Sequence, residues 1–90
     1  MLTTKYHIKF KKDLKLAKKR GYDLKLLEKV ISMLADEKTL PDKYCDHALT
    51  GKYKNFRECH ILPDWLLIYH IDNNILTLTL SRTGTHSDLF

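Results

Sequence analysis

The stretch LLIYHIDNNILTLTLSR, residues 66–82, decides how this chain folds. Two apolar runs flank Asp72, Asn73 and Asn74, residues that tolerate turn conformations, so the stretch predicts a β-hairpin. In the second run, Ile75–Arg82, Leu76, Leu78 and Leu80 alternate with Thr77, Thr79 and Ser81. That period of two sends one face to a core and the other to solvent. Upstream, KNFREC (residues 54–59) reads as a further strand, making a meander of three. Between it and the hairpin, HILPDW (residues 60–65) places a histidine, a carboxylate and the only tryptophan on the link.

A leucine face needs a cover, and the N-terminal third supplies one. TKYHIKF, Thr4–Phe10, alternates Tyr6, Ile8 and Phe10 with Lys5, His7 and Lys9, which predicts a short strand. The period then changes. Phe10, Leu14 and Ala17 are spaced i, i+4, i+7 among lysines, so KKDLKLAKKR is an amphipathic helix. Gly21 suits the left-handed position after that helix, and Asp23 suits the N-cap of a second. The second helix carries a stripe of Leu24, Leu27, Val30, Ile31 and Leu34 and ends near Asp36, before Pro41. Residues 37–53 have no clean period, contain Pro41 and Gly51, and read as a loop. The order is β-α-α-β-β-β: an α+β fold with two helices packed on a twisted, mainly antiparallel four-stranded sheet. Ninety residues suffice for one such domain, 1–90, with a modest core.

Composition narrows the function. Hydrophobic residues make up 43% and charged residues 30%, the balance of a globular chain. No apolar segment approaches the roughly 20 residues of a membrane span. The start, MLTTKYHIKFKK, has no signal-peptide pattern, so the expected location is the cytoplasm, with no membrane partner. Cys45 and Cys59, fourteen positions apart, lack a zinc spacing and read as free thiols. The formal net charge of +5 is unevenly spread: residues 1–30 hold ten Lys/Arg against three acids, and residues 31–90 six against eight. Such asymmetry points to a polyanionic partner, nucleic acid or an acidic protein. Lys11, Lys12, Lys18 and Lys19 are the candidate contacts.

Three histidines fall in polar, irregular segments: His47 in YCDHAL, His60 in ECHILPDW and His86 in RTGTHSDLF. His7 and His70 sit mid-strand in this reading and are ordinary strand residues. With Asp64, the three can exchange protons near neutral pH. Phosphodiester transesterification needs such a set. A base deprotonates a ribose 2′-OH, which attacks the adjacent phosphorus, and an acid protonates the leaving 5′ oxygen. Arg82 can hold the added negative charge, and Trp65 or Phe90 can stack a base, while Trp65, just before an apolar strand, can equally be a core residue. Dependence on the 2′-OH makes the substrate RNA. The chemistry requires no cofactor. His47, His60, Asp64 and His86 can also be read as metal ligands, but their wide spacing carries no zinc signature. Protease, P-loop and dinucleotide signatures are absent.

Longer motifs sharpen this reading. KKDLKLAKKRG (11–21), the LP at Leu40-Pro41, DHALTGKYKNFRECHILPDWLLIYHI (46–71) and LSRTGTHSDLF (80–90) closely resemble the YafQ family of bacterial toxins. That family belongs to the RelE-like superfamily of type II toxin–antitoxin systems. The resemblance implies a ribosome-dependent endoribonuclease that cuts mRNA in the ribosomal A site and is held inactive by a cognate antitoxin. It implies functional roles for His47, His60, Asp64, His86 and Phe90, with Trp65 and Arg82 also matching the pattern. On that analogy His86 is the general acid and Asp64 the general base, while His60 and His47 position phosphate and ribose. Four titratable groups in one site need not titrate independently. The basic first helix would contact ribosomal RNA. Two rivals remain: a gyrase-poisoning toxin of the ParE kind, and a non-catalytic RNA-binding module. The first has no need of proton-transfer groups. The second would tolerate loss of His86 but not of the four lysines.

Overall fold

The computed structural model describes residues 1–90, and it pairs five strands where the sequence pattern predicts four. The strands are β1 (Thr3–Tyr6), β2 (His47–Ala48), β3 (Arg57–Leu62), β4 (Trp65–Asp72) and β5 (Thr77–Gly84), ordered β1-β5-β4-β3-β2. The helices are α1 (Ile8–Lys19), α2 (Leu24–Ala35) and a short α3 (His86–Leu89). Single 3-10 turns occupy Asp42–Tyr44 and Gly51–Tyr53. The α+β class holds. The fifth strand is β2, two residues long and antiparallel to β3, and two residues display no period. The outer strand β1 runs parallel to β5, so the sheet is mixed.

Capping residues set the helices. Asp23 accepts a hydrogen bond from the Lys25 backbone N–H at 3.0 Å, and Gly21 has φ +82°, both as the sequence predicts. The first boundary differs. His7 caps α1, its Nδ1 accepting from the Lys9 N–H at 3.1 Å. The chain therefore turns helical at Ile8, and the alternation through Phe10 is a coincidence of two periods. Ile8 is left in solvent while Phe10 enters the core.

The hairpin is present, with pairing from Asp72↔Thr77 to Leu66↔Gly84. Its turn is longer than three residues. Ile75 and Leu76 lie in it, exposed, with Leu76 at φ +49°, so Leu76 is not a core residue. Leu78 and Leu80 are, together with Leu67 and Tyr69 of β4; α1 and α2 cover them with Phe10, Ala17, Leu27, Val30 and Leu34. β4 is the central strand, and from Trp65 to Tyr69 it is buried on both faces. On the face away from the helices, Leu66, Ile68 and Leu89 form a small second core, flanked by Leu49, Tyr53 and Phe56. No helix is long and apolar enough to cross a membrane.

One irregularity in β5 decides where Arg82 points. Ile68 pairs with Arg82 and Tyr69 with Leu80, so Ser81 is an extra residue in β5. Such a bulge reverses which residues face which way beyond it. Leu78 and Leu80 face the helices, and Arg82 is sent to the opposite face.

Trp65 is only 1% exposed. Its ring lies 4.8 Å from that of Tyr22, and its Nε1–H donates to Thr83 Oγ1 at 2.9 Å. The Thr83 hydroxyl in turn donates to the Leu66 carbonyl at 2.7 Å. Of the two roles open to Trp65, core anchor and RNA contact, the structure corrects the second: the ring is enclosed by the core and offers no face to a base. Replacing Trp65 with Phe removes the indole donor and leaves a gap, for a cost of about 1–3 kcal/mol. Urea unfolding should show that loss, with RNA binding per folded molecule unchanged.

Candidate active site

Residues paired across strands project from the same face of a sheet. One row on the face away from the helices runs His47, Glu58, Ile68, Arg82 across β2, β3, β4 and β5. The next row runs His60, Leu66, Gly84, and α3 begins two residues beyond Gly84. His60 therefore sits within β3, and the link to β4 is only Pro63 and Asp64. The register alone gathers the chemistry at one end of this face.

Ring centroids lie 6.4 Å apart for His47 and His60, 5.7 Å for His60 and His86, and 6.5 Å for His86 and Phe90. Asp64 in the turn joins them, its Oδ1 accepting from the His86 backbone N–H at 3.1 Å and from Nδ1 at 2.9 Å. The hydrogen bond from the His86 ring, seconded by the one from its backbone, holds the Asp64 carboxyl below its usual range. Phe90 is 60% exposed and stands edge-on to Tyr53 at 5.6 Å. All five residues predicted for catalysis thus meet.

Glu58, absent from the residues that the sequence singles out, lies among them. It is 4% exposed, and its Oε1 is 3.4 Å from His60 Nε2 and 3.8 Å from His47 Nε2. A carbonyl can only accept, so His60 Nδ1 donates to Pro63 O at 3.2 Å and His47 Nδ1 to Cys45 O at 2.7 Å. Both Nε2 atoms are left facing one buried carboxylate, an arrangement that is attractive when a proton lies between. The signal that could have found it is the spacing: in a strand, the residue two before His60 shares its face.

Arg82 arrives on this face through the bulge and is gripped by Asp13 of α1, at 2.6 Å from Nε and 3.1 Å from Nη2. Nη1 makes no hydrogen bond. Lys11, Lys12, Lys18 and Lys19 are exposed on α1 and carry no ion pair; none is hydrogen-bonded to the histidine cluster. A metal ion would be offered Glu58, His60 and His86, whose ligand atoms lie within 4.8 Å of one another. That trio takes in Glu58 and leaves out His47 and Asp64 of the set read from the sequence.

The turn carrying His86 is fastened from α1. Asp88 accepts from Arg20 at 2.7 and 3.2 Å and from the Thr85 N–H at 3.0 Å, while the Thr85 hydroxyl caps the Asp88 N–H at 3.2 Å. Arg20, then the Thr85 backbone, pull the Asp88 carboxyl well below its usual range. Gly84 makes room for this: a Cβ there would lie 2.9 Å from Asp88 Oδ2.

The family described as the bacterial toxin of type II toxin-antitoxin system, YafQ, matches residues 2–90. The chain belongs to the YafQ family. It is 41% identical over 86 residues to the mRNA interferase toxin YafQ of Escherichia coli strain K12, covering 94% of this chain and 91% of the relative. A crystal structure of a metal-bound toxin from Helicobacter pylori superposes with a TM-score of 0.94 at 54% identity over the whole of both chains. YafQ in the E. coli DinJ–YafQ complex gives 0.92 at 38%, covering 100% of this chain and 99% of that one.

Two expectations arise for this YafQ-family site. Gly84→Ala forces Asp88 aside, an overpacking cost of about 1–3 kcal/mol; urea unfolding should register it, and His86 should lose its placement. The Asp88 pKa is lower folded than unfolded, so its pairing stabilises above the ordinary Asp value of about 3.9 and is lost as pH falls through the lowered one. Arg20→Ala removes the main cause of that lowering. Its deficit in urea midpoint should be present near neutrality and shrink on acidification below about pH 4.

Proposed function

We propose that this protein is the toxin of a type II toxin–antitoxin system and cuts mRNA by attack of the ribose 2′-OH on the adjacent phosphorus. The observation that carries the reading is the meeting of two separately backed imidazoles: His60 against buried Glu58, and His86 against Asp64. Acid–base catalysis needs one group to take a proton and another to give one. The His60–Glu58 pair takes the 2′-OH proton, the 2′ oxygen bonds to phosphorus, and the bond to the 5′ oxygen breaks. His86 protonates that oxygen, leaving a 2′,3′-cyclic phosphate and a 5′-hydroxyl end.

Asp64 then has a different part from the base that family resemblance implies. Its lowered pKa makes it a weak base, and its bond to Nδ1 holds the His86 ring and stabilises the imidazolium. His47 and the unbonded Nη1 of Arg82 face the negative charge that builds on the phosphorane oxygens. Phe90, exposed beside His86, stacks a base. No metal enters these steps.

The partners are inferred from charge. The exposed lysines of α1 dock on ribosomal RNA, a reading that has the protein act in the cytoplasm on a translating ribosome. A cognate antitoxin neutralises it, as the E. coli DinJ–YafQ assembly suggests.

Cleavage of mRNA on translating ribosomes tests the reading. His86→Ala and Glu58→Gln, each verified as folded, should fall by about 10²-fold or more. Absence of cleavage by the wild type, with growth arrest still caused by the histidine variant, would point to a binding-type toxin. Neutralising Lys11, Lys12, Lys18 and Lys19 should weaken ribosome binding and flatten its salt dependence by roughly 0.7–0.9 log units for each phosphate no longer engaged. An unchanged slope would remove α1 from the interface.

A further inference from the structure

β2 pairs only with Arg57 and Glu58 of β3, so the β3 edge from Cys59 to Leu62 has no strand beside it. A cleft of about 540 Å³ opens along that edge, within the range of about 300–1,000 Å³ typical of small-ligand sites. Leu26 of α2 and Leu62 supply apolar surface over the buried Tyr44, and His60, Lys29 and Lys43 complete the polar part. Leu26 and Leu62 are 37% and 47% exposed. The Lys43 ammonium stands 5.1 Å from the centre of the Tyr44 ring. No carboxylate lines the cleft.

We propose that this cleft binds the nucleotide of the mRNA that neighbours the scissile phosphodiester, its base against the exposed Leu26 and Leu62 and its phosphate at Lys29 and Lys43. The inference rests on the nuclease reading above and extends it to substrate selection. Apolar walls with two ammonium groups and no acid suit a flat, uncharged base tied to an anionic phosphate. An acidic peptide would satisfy the lysines as well. Continuity favours RNA: His60 belongs both to the cleft and to the imidazole pair 5.7 Å from His86. An RNA chain engaged at His60 and His86 therefore passes its next nucleotide directly into the cleft. Because the walls touch a base rather than only a backbone, the cleft would rank codons as well as bind them.

The test uses a panel of mRNAs that differ only at the codon in the ribosomal A site. Wild type is compared with Leu62→Ser and with the double variant Lys29→Ala/Lys43→Ala, all three positions being exposed. Circular dichroism and urea unfolding verify the fold. The wild type should cleave some codons better than others. Leu62→Ser should compress that ranking by about tenfold, and the lysine variant should lower kcat/KM on every codon by about tenfold, the scale of a single base stack or phosphate pairing. A ranking and rates unchanged in both variants would overturn the proposal while leaving the nuclease reading intact. Weakened antitoxin affinity with unchanged codon ranking would assign the cleft to protein docking and overturn it too. No cleavage of any codon by wild type would instead sink the nuclease reading, and this inference with it.

Discussion

Strand β4 is buried on both faces, and the placement of everything else depends on that constraint. Five consecutive residues, Trp65 to Tyr69, are nearly inaccessible, so one sheet needs two covers in a chain of only 90 residues. Two helices cover one face. The other has no helix of useful length and is closed by a thin lid of Leu49, Tyr53, Phe56 and Leu89. A thin lid reaches only part of a face. At its margin His47 and His60 reach the surface beside an apolar floor, with Glu58 buried against both.

Getting Arg82 to that rim depends on one inserted residue. With strict alternation, Leu78, Leu80 and position 82 would share the helix-facing side, and a guanidinium would be buried against leucines. Ser81 breaks the alternation, and Arg82 emerges beside Ile68 on the face that carries the histidine cluster. The same reversal puts Thr83 under the helices, where its hydroxyl links Trp65 to the Leu66 carbonyl. A single bulge therefore serves both the packing of the tryptophan and the charge of the site.

The bulge is also a place where sequence pattern stops being informative, and the reason is general. Helix caps are local, so Gly21 and Asp23 are legible, as is the leucine alternation that marks β5. Leu76 misleads because turn residues and strand residues can continue one alternation without sharing a conformation. His7 misleads for a similar reason: an imidazole that caps a helix looks like a polar strand residue until its acceptor nitrogen is seen on the Lys9 N–H. The histidines and Asp64 are legible by type and motif. Glu58 is not, because an acid in a strand is ordinary until the register brings two Nε2 atoms to it. β2 escapes because its two residues become a strand only through their partner.

Cations divide their labour by chemistry. All three arginines, Arg20, Arg57 and Arg82, are paired with aspartates, namely Asp88, Asp46 and Asp13. None of the thirteen lysines is in an ion pair. The planar guanidinium suits a fixed two-point grip, whereas the ammonium is a hydrated point charge on a flexible stem. Arginine here builds and lysine remains free to meet phosphate. Two of the three grips tie α1 to the site, Asp13 to the strand that carries Arg82 and Arg20 to the turn that carries His86. The helix richest in free lysines is thus joined to the residues that carry the chemistry. These two ion pairs fix the orientation of Arg82 and of the His86 turn relative to the lysine-bearing face of α1, so that face and the histidine cluster keep one geometry.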